Sequence, residues 1–149
     1  MIDYSIYMRR AIELGKAAAS CGEVPVGAVI IRNGEIIGEG YNRRESLMSA
    51  LAHAEIEAID AACKAIGSWR LNGCELIVTL EPCPMCSGAI INARLDKVIY
   101  GARDDKAGSV RSVISMFDLP YNHRPRVQGG VLEEECASLL SSFFEDLRK

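Results

Sequence analysis

Two short strings carry the residue types that could do chemistry: His53-Ala54-Glu55 and Pro82-Cys83-Pro84-Met85-Cys86. The C-x-x-C spacing lets Cys83 and Cys86 point the same way from one helical turn. A helix N-terminus lowers a thiol pKa, so both can serve there as thiolates. His53, at the start of another predicted helix, offers a neutral ring nitrogen. Three protein ligands with an open fourth position define a catalytic zinc site, whereas a structural site closes all four. Two thiolates and one imidazole leave zinc formally neutral. Water at the open position is then more acidic than bulk water but still needs a base. Glu55 lies two residues beyond His53, near enough to take that proton and later deliver it to a leaving group.

Taken singly, each piece has a plainer reading. A histidine or glutamate at a helix start is commonly a cap or a dipole partner. A lone C-x-x-C is often a redox pair or half of a structural zinc site. The chain has no second C-x-x-C and no suitably spaced histidine pair, which weighs against a closed zinc site. A thiol–disulfide protein fits Cys83 and Cys86 but leaves His53-Ala54-Glu55 without a role. A zinc-stabilised binding module would not need Glu55. The joint pattern H-x-E…P-C-x-x-C is far more specific than its parts, and it matches the signature of zinc-dependent nucleobase deaminases.

The surrounding elements must bring the two strings together. Apolar side chains recur at helical spacing over residues 3–20, with Cys21-Gly22 as the stop. Val26 to Ile31 is a nearly continuous β-branched run, and Asn33-Gly34 is a tight-turn signal before a second strand from Ile36 to Tyr41. Ile56, Ile59, Cys63 and Ile66 mark a helix over 52–66, ended by Gly67. Further strands are expected at 75–80 and 97–100, with a short apolar helix at 84–93 between them. The 101–130 stretch is mixed, with one short helix expected near 108–117. Leu132, Cys136, Leu139, Leu140, Phe143, Phe144 and Leu147 line one face of a last helix, with Glu133, Glu134 and Glu135 in its first turn. This order predicts an α/β chain: three α/β/α layers around a mixed sheet of about five strands.

The resemblance extends well beyond the two strings. Gly22-Glu23-Val24-Pro25-Val26-Gly27-Ala28-Val29, Ala52-His53-Ala54-Glu55-Ile56 and Trp69-Arg70-Leu71 resemble the TadA-type tRNA adenosine deaminases. So do Val78 to Cys86, Tyr100 to Asp104, Lys106-Ala107-Gly108, Asn122-His123, Gly130-Val131-Leu132 and Glu135-Cys136 with the Phe143-Phe144 helix. The likeness runs in order over nearly the whole chain. It implies a cytidine deaminase-like fold and conversion of adenosine to inosine at the wobble position of a tRNA anticodon, typically tRNA-Arg with anticodon ACG. It also implies one zinc per subunit and a homodimer with the RNA site near the subunit interface. His53, Cys83 and Cys86 fall on the zinc ligands and Glu55 on the proton shuttle. Asn42 falls on a nucleoside contact, and Asp104 and Lys106 fall in the anticodon-contacting segment. The chain departs from many family members at Ser49-Ala50-Leu51, where they carry Asp-Pro-Thr, and at Arg111, where they carry Gly. A small-molecule deaminase for guanine, cytosine or cytidine shares the zinc motif and is the alternative.

The 149 residues are 49% hydrophobic and 25% charged, the balance of one domain spanning 1–149 with an ordinary core. No apolar run is long enough to span a membrane. The start lacks the basic and apolar regions of a signal peptide, so a cytoplasmic protein is expected. Six cysteines in such a chain suit metal, catalysis or buried thiols better than a disulfide framework. The formal net charge of −3 argues against broad electrostatic binding of RNA, but it is segregated. Residues 94–130 hold seven bases and four acids, a net +3, while residues 131–149 carry −3. That leaves room for a basic face on a small stem-loop, whose unpaired bases are extruded at less cost than those of a duplex.

Overall fold

The computed structural model describes residues 2–149. Helix α1 spans Ser5–Ser20 and buries Met8, Ala11, Ile12, Leu14, Gly15 and Ala18 along one face. Strands β1 (Gly27–Arg32) and β2 (Glu35–Tyr41) form the expected antiparallel hairpin. Its turn holds both Asn33 and Gly34 at positive φ, the backbone that matches strand twist in two-residue hairpins. A single helical turn, α2 (Arg44–Leu47), leads to α3 (Ala54–Ile66), which ends on Gly67 at φ +70°. Then come β3 (Cys74–Leu80), α4 (Pro84–Asn92), β4 (Lys97–Ala102), a short β5 (Arg126–Gln128) and α5 (Glu133–Leu147).

The strands lie in the order β2-β1-β3-β4-β5. β1 is antiparallel to β2 and to β3, while β3, β4 and β5 run parallel. Strand pleating sorts the side chains into two cores. Ala28, Ile30, Leu76, Val78, Val98 and Tyr100 face one way, with Ala54, Ala58 and Ala62 of α3 and Ile90 and Ile91 of α4. Val29, Ile31, Ile77 and Ile99 face the other way, with Met8 and Ile12 of α1 and Cys136 of α5. The result is the mixed five-stranded sheet between two helical layers that the pattern predicts.

Helix α3 lies unusually close to β2. A Cβ on Gly38 would strike the Ala58 carbonyl and the Ala62 backbone, and one on Gly40 would strike the Ala54 carbonyl. Glycines on the strand and alanines on the helix let the two backbones approach. This packing sets the depth at which the N-terminus of α3 meets the carboxyl end of β3, the usual end for ligand sites in α/β sheets.

The helix expected near 108–117 is not there. Residues 109–113 form turns, and only a 3₁₀ turn follows at Met116–Asp118. The reason lies in its backbone donors. Within the stretch the Glu81 carboxylate accepts the N–H groups of Arg111 and Ser112, and just before it those of Asp104, Lys106 and Ala107 go to the Glu81 and Asp104 carboxylates. Donors captured by side chains are lost to a helical ladder. β5 and α2, with three and four residues, are too short to leave a periodic signal.

Candidate active site

His53 and Cys83 occupy equivalent places, each the N-cap of its helix, α3 and α4. Neither side chain caps its own helix, which leaves both free to turn toward each other. Pro84 takes the first turn of α4, where its missing N–H costs nothing. Cys86 follows one turn in, fully buried. His53 Nδ1 lies 3.6 Å from Cys83 Sγ and 3.5 Å from Cys86 Sγ. The three donor atoms all lie within 4.8 Å of one another, a group able to hold a metal ion. Bond lengths of about 2.3 Å to sulfur and 2.0–2.1 Å to nitrogen, at a tetrahedral angle, put N and S about 3.6 Å apart. The donor set therefore fits zinc in type and in spacing.

Electrostatics follow the same geometry. A hydrogen bond from the Cys86 thiol brings Cys83 down to about 4 against the effect of burial, with His53 adding to the fall. Cys86 is pushed up, first by that same bond and then by burial. His53 is raised, chiefly by its bond to Cys83. Glu55 is 4% exposed, and burial pushes its carboxyl up to about 7, against its own backbone N–H and His53. A carboxyl poised near neutrality suits general acid–base work.

His53, Glu55 and Cys83 form part of the wall of a cleft of about 220 Å³. Val24, Val26, Leu80 and Ala107 supply apolar wall, and Asn42, Arg44 and Asp104 supply polar groups. The volume is below the ~300 Å³ at which drug-sized ligand sites begin, and suits one base. A larger groove of about 970 Å³ lies between α1 and α5, on the other side of the sheet.

The residues expected from the sequence divide accordingly. His53, Cys83, Cys86 and Glu55 come together. Asn42 lines the cleft, donating from Nδ2 to the Val24 carbonyl and accepting the Arg44 N–H at Oδ1. Asp104 lines it too, with Oδ1 occupied by the turn at Lys106 and Ala107. Lys106 is exposed and does not line the cleft. Arg111 sends its guanidinium away to the Val127 carbonyl. Ser49 Oγ accepts the Leu51 N–H, so it shapes the turn itself.

Two carboxylates escaped the reading of the sequence as site residues. Glu23 and Glu81 are 1% and 2% exposed, and both accept hydrogen bonds from the segments that border the cleft, which Glu81 itself also lines. Burial alone would raise Glu81, but the Ser112 hydroxyl and the backbone N–H groups outweigh it and hold the carboxyl below its usual range. For Glu81 the available signal was an acid at the end of an apolar strand, which folding would bury only with partners; Glu23, in the connection before β1, carried none.

A family model of MafB19-like deaminases matches residues 2–148, which sets the class. The tRNA-specific adenosine deaminase of Bacillus subtilis (strain 168) is 49% identical over 150 residues, covering 100% of this chain and 93% of its own. A solved structure from a study of A-to-I editing by tRNA:A34 deaminases matches with a TM-score of 0.89 at 42% identity, covering 91% of this chain and 99% of the other. The guanine deaminase of Nitrosomonas europaea matches at 0.78 with 25% identity, covering 96% and 85%. The chain belongs to the tRNA-specific adenosine deaminase family. The thiol–disulfide alternative falls with that result.

Proposed function

We propose that this protein hydrolytically deaminates adenosine to inosine at the wobble position of a tRNA anticodon, with tRNA-Arg bearing ACG as substrate. The observation that carries this reading is Glu55: a buried carboxyl beside a three-donor cluster in a base-sized cleft. Kinship over the full chain supports the choice of tRNA. His53 Nδ1, Cys83 Sγ and Cys86 Sγ are the zinc ligands, one ion per subunit. Zinc, when bound there, supplies the Lewis acidity that lets water attack at neutral pH.

Glu55 manages the protons. Water adds its oxygen to C6 of the adenine and the C6–N bond breaks, releasing ammonia. One of the water's two protons ends on ring N1 and the other on the departing amine, and Glu55 carries them. Asn42 keeps one amide hydrogen and one lone pair for the base beyond its two internal bonds. Asp104 borders the same space, while Lys106 meets the RNA outside it. The remainder of the anticodon arm lies outside the cleft, as a flipped base requires. The whole chain, 1–149, acts as one zinc-dependent deaminase domain. The enzyme works as a cytoplasmic homodimer. Leu47, Met48 and Leu51 are exposed beside the cleft, the kind of apolar surface a second copy covers. Among the described residues, no helix is long and apolar enough to cross a membrane.

The fold shared with guanine deaminase favours one competing reading, a free-base deaminase. A parallel assay separates them: inosine from an ACG anticodon stem-loop, and ammonia from free adenosine, cytidine and guanine, at matched enzyme. Strong turnover of the stem-loop and very little of the free compounds is the expected result, since flanking interactions hold the base in place. Comparable turnover of guanine would replace the tRNA reading.

A further inference from the structure

Two segments form opposite borders of the cleft. Residues 42–46 contribute Asn42 and Arg44, and residues 103–112 contribute Asp104 and Ala107. Most of this backbone lies outside the longer helices and the strands, so each border needs another anchor. Each has one buried carboxylate. Glu23 accepts the Glu45 N–H at 3.0 Å, and the Ser46 N–H and hydroxyl at 2.7 and 2.6 Å. Glu81 accepts the N–H groups of Asp104, Arg111 and Ser112 at 3.2, 2.9 and 2.9 Å, and also the Ser112 hydroxyl. The fit around Glu81 is close enough that a Cβ on Gly108 would meet its carboxyl carbon.

We propose that Glu23 and Glu81 are positioning residues that hold the two borders of the cleft at the width the substrate needs. Glu81 accepts four hydrogen bonds from the protein and Glu23 three. Neither supplies a metal donor. Glu23 lies outside the cleft lining and acts through Asn42 and Arg44, while Glu81 lines the cleft itself and turns its oxygens to the backbone of Asp104, Arg111 and Ser112. Asn42, Arg44 and Asp104 lie around the base and are not the groups that move protons. Interactions that are equal in ground and transition states lower KM and leave kcat alone. Loosening a border therefore raises KM.

The inference rests on the deaminase reading for its kinetic test, and on hydrogen exchange independently of it. Glu23→Gln and Glu81→Gln keep the shape but turn an NH2 group toward N–H donors. Ser46→Ala and Ser112→Ala each remove a single bond and keep the carboxylate, so they carry the test if a Gln variant fails to fold. The zinc-loaded variants are assayed on the stem-loop beside the wild type. KM is expected to rise about tenfold in the Gln variants, the scale of losing a charge-assisted hydrogen bond, and less in the Ala variants. kcat should change by less than about threefold and zinc content should stay at the wild-type level. Amide exchange should quicken at residues 45–46 in the Glu23 variant, and at 104, 111 and 112 in the Glu81 variant. Loss of zinc, a fall in kcat at constant KM, or exchange that quickens evenly over the fold would each overturn the proposal. If the wild type leaves the stem-loop untouched, the function reading fails. The border proposal is then judged by the exchange pattern and by KM for the free base the enzyme does use.

Discussion

At the scale of single residues, the site depends on two helix caps that do not cap. His53 and Cys83 each begin a helix, and each lends its side chain to the neighbouring helix's site. Glu55 shares the cleft with them but offers no atom to the donor group. Its loss should therefore separate chemistry from metal. Glu55→Ala is expected to keep a full complement of zinc and lose deamination by about 10²-fold or more, the usual scale for a general acid–base group. His53→Ala, Cys83→Ala and Cys86→Ala should lose zinc and activity together, and should melt earlier because metal binding energy is also folding energy. Metal analysis, melting curves and inosine formation check both statements. Full zinc occupancy in Cys86→Ala, or near-normal turnover in Glu55→Ala, would remove that residue from its role.

At the scale of elements, the decisive packing is α3 against β2. His53 at the start of α3 meets Cys83 and Cys86 at the start of α4 with the helix sitting low on the sheet, over Gly38 and Gly40. Adding one methyl group at Gly38 should lift the helix or strain the strand. Gly38→Ala is expected to destabilise the protein by about 1–3 kcal/mol, the usual cost of overpacking a close approach. Urea unfolding of the zinc-loaded protein reads this as a lower midpoint at unchanged slope. An unchanged midpoint would show that the helix gives way freely and that the close approach does not set the position of His53.

Across the whole molecule, charge is sorted by place. The basic excess of residues 94–130 includes Arg103 and Lys106, both exposed on the segment that borders the cleft. Arg103 pairs with Asp105, an exposed ion pair that water and salt screen heavily and that RNA phosphate can displace. By contrast, Arg43 is held by Glu57, and Arg111 by a backbone carbonyl. Changing Arg103 and Lys106 together to alanine should weaken the stem-loop reaction and flatten its dependence on salt, because fewer phosphates are neutralised and fewer counterions are released on binding. The measurement is kcat/KM across a series of salt concentrations. An unaltered slope would place the RNA on another face.

The sequence alone determined the cluster and most of the scaffold. Local chemistry was sufficient for that: helix periodicity, the Asn33-Gly34 turn, and two ligand strings placed at predicted helix starts. The H-x-E spacing also singled out Glu55, but residues two apart on a helix face different ways, and the two side chains share the cleft because His53 sits before the helix in extended backbone. The 108–117 stretch was different. A short helix was expected there, but the backbone donors of Arg111 and Ser112 go to Glu81, 30 and 31 residues away in the chain. The same holds for Glu23 and the turn at Ser46. The resemblance grouped Lys106 with Asp104, and the turn made by the Asp104 carboxylate separates them, one lining the cleft and the other facing solvent. Burial of a charged group depends on partners brought from elsewhere in the fold, so a local pattern could at most mark Glu81 as an acid ending an apolar strand and could not say what it holds.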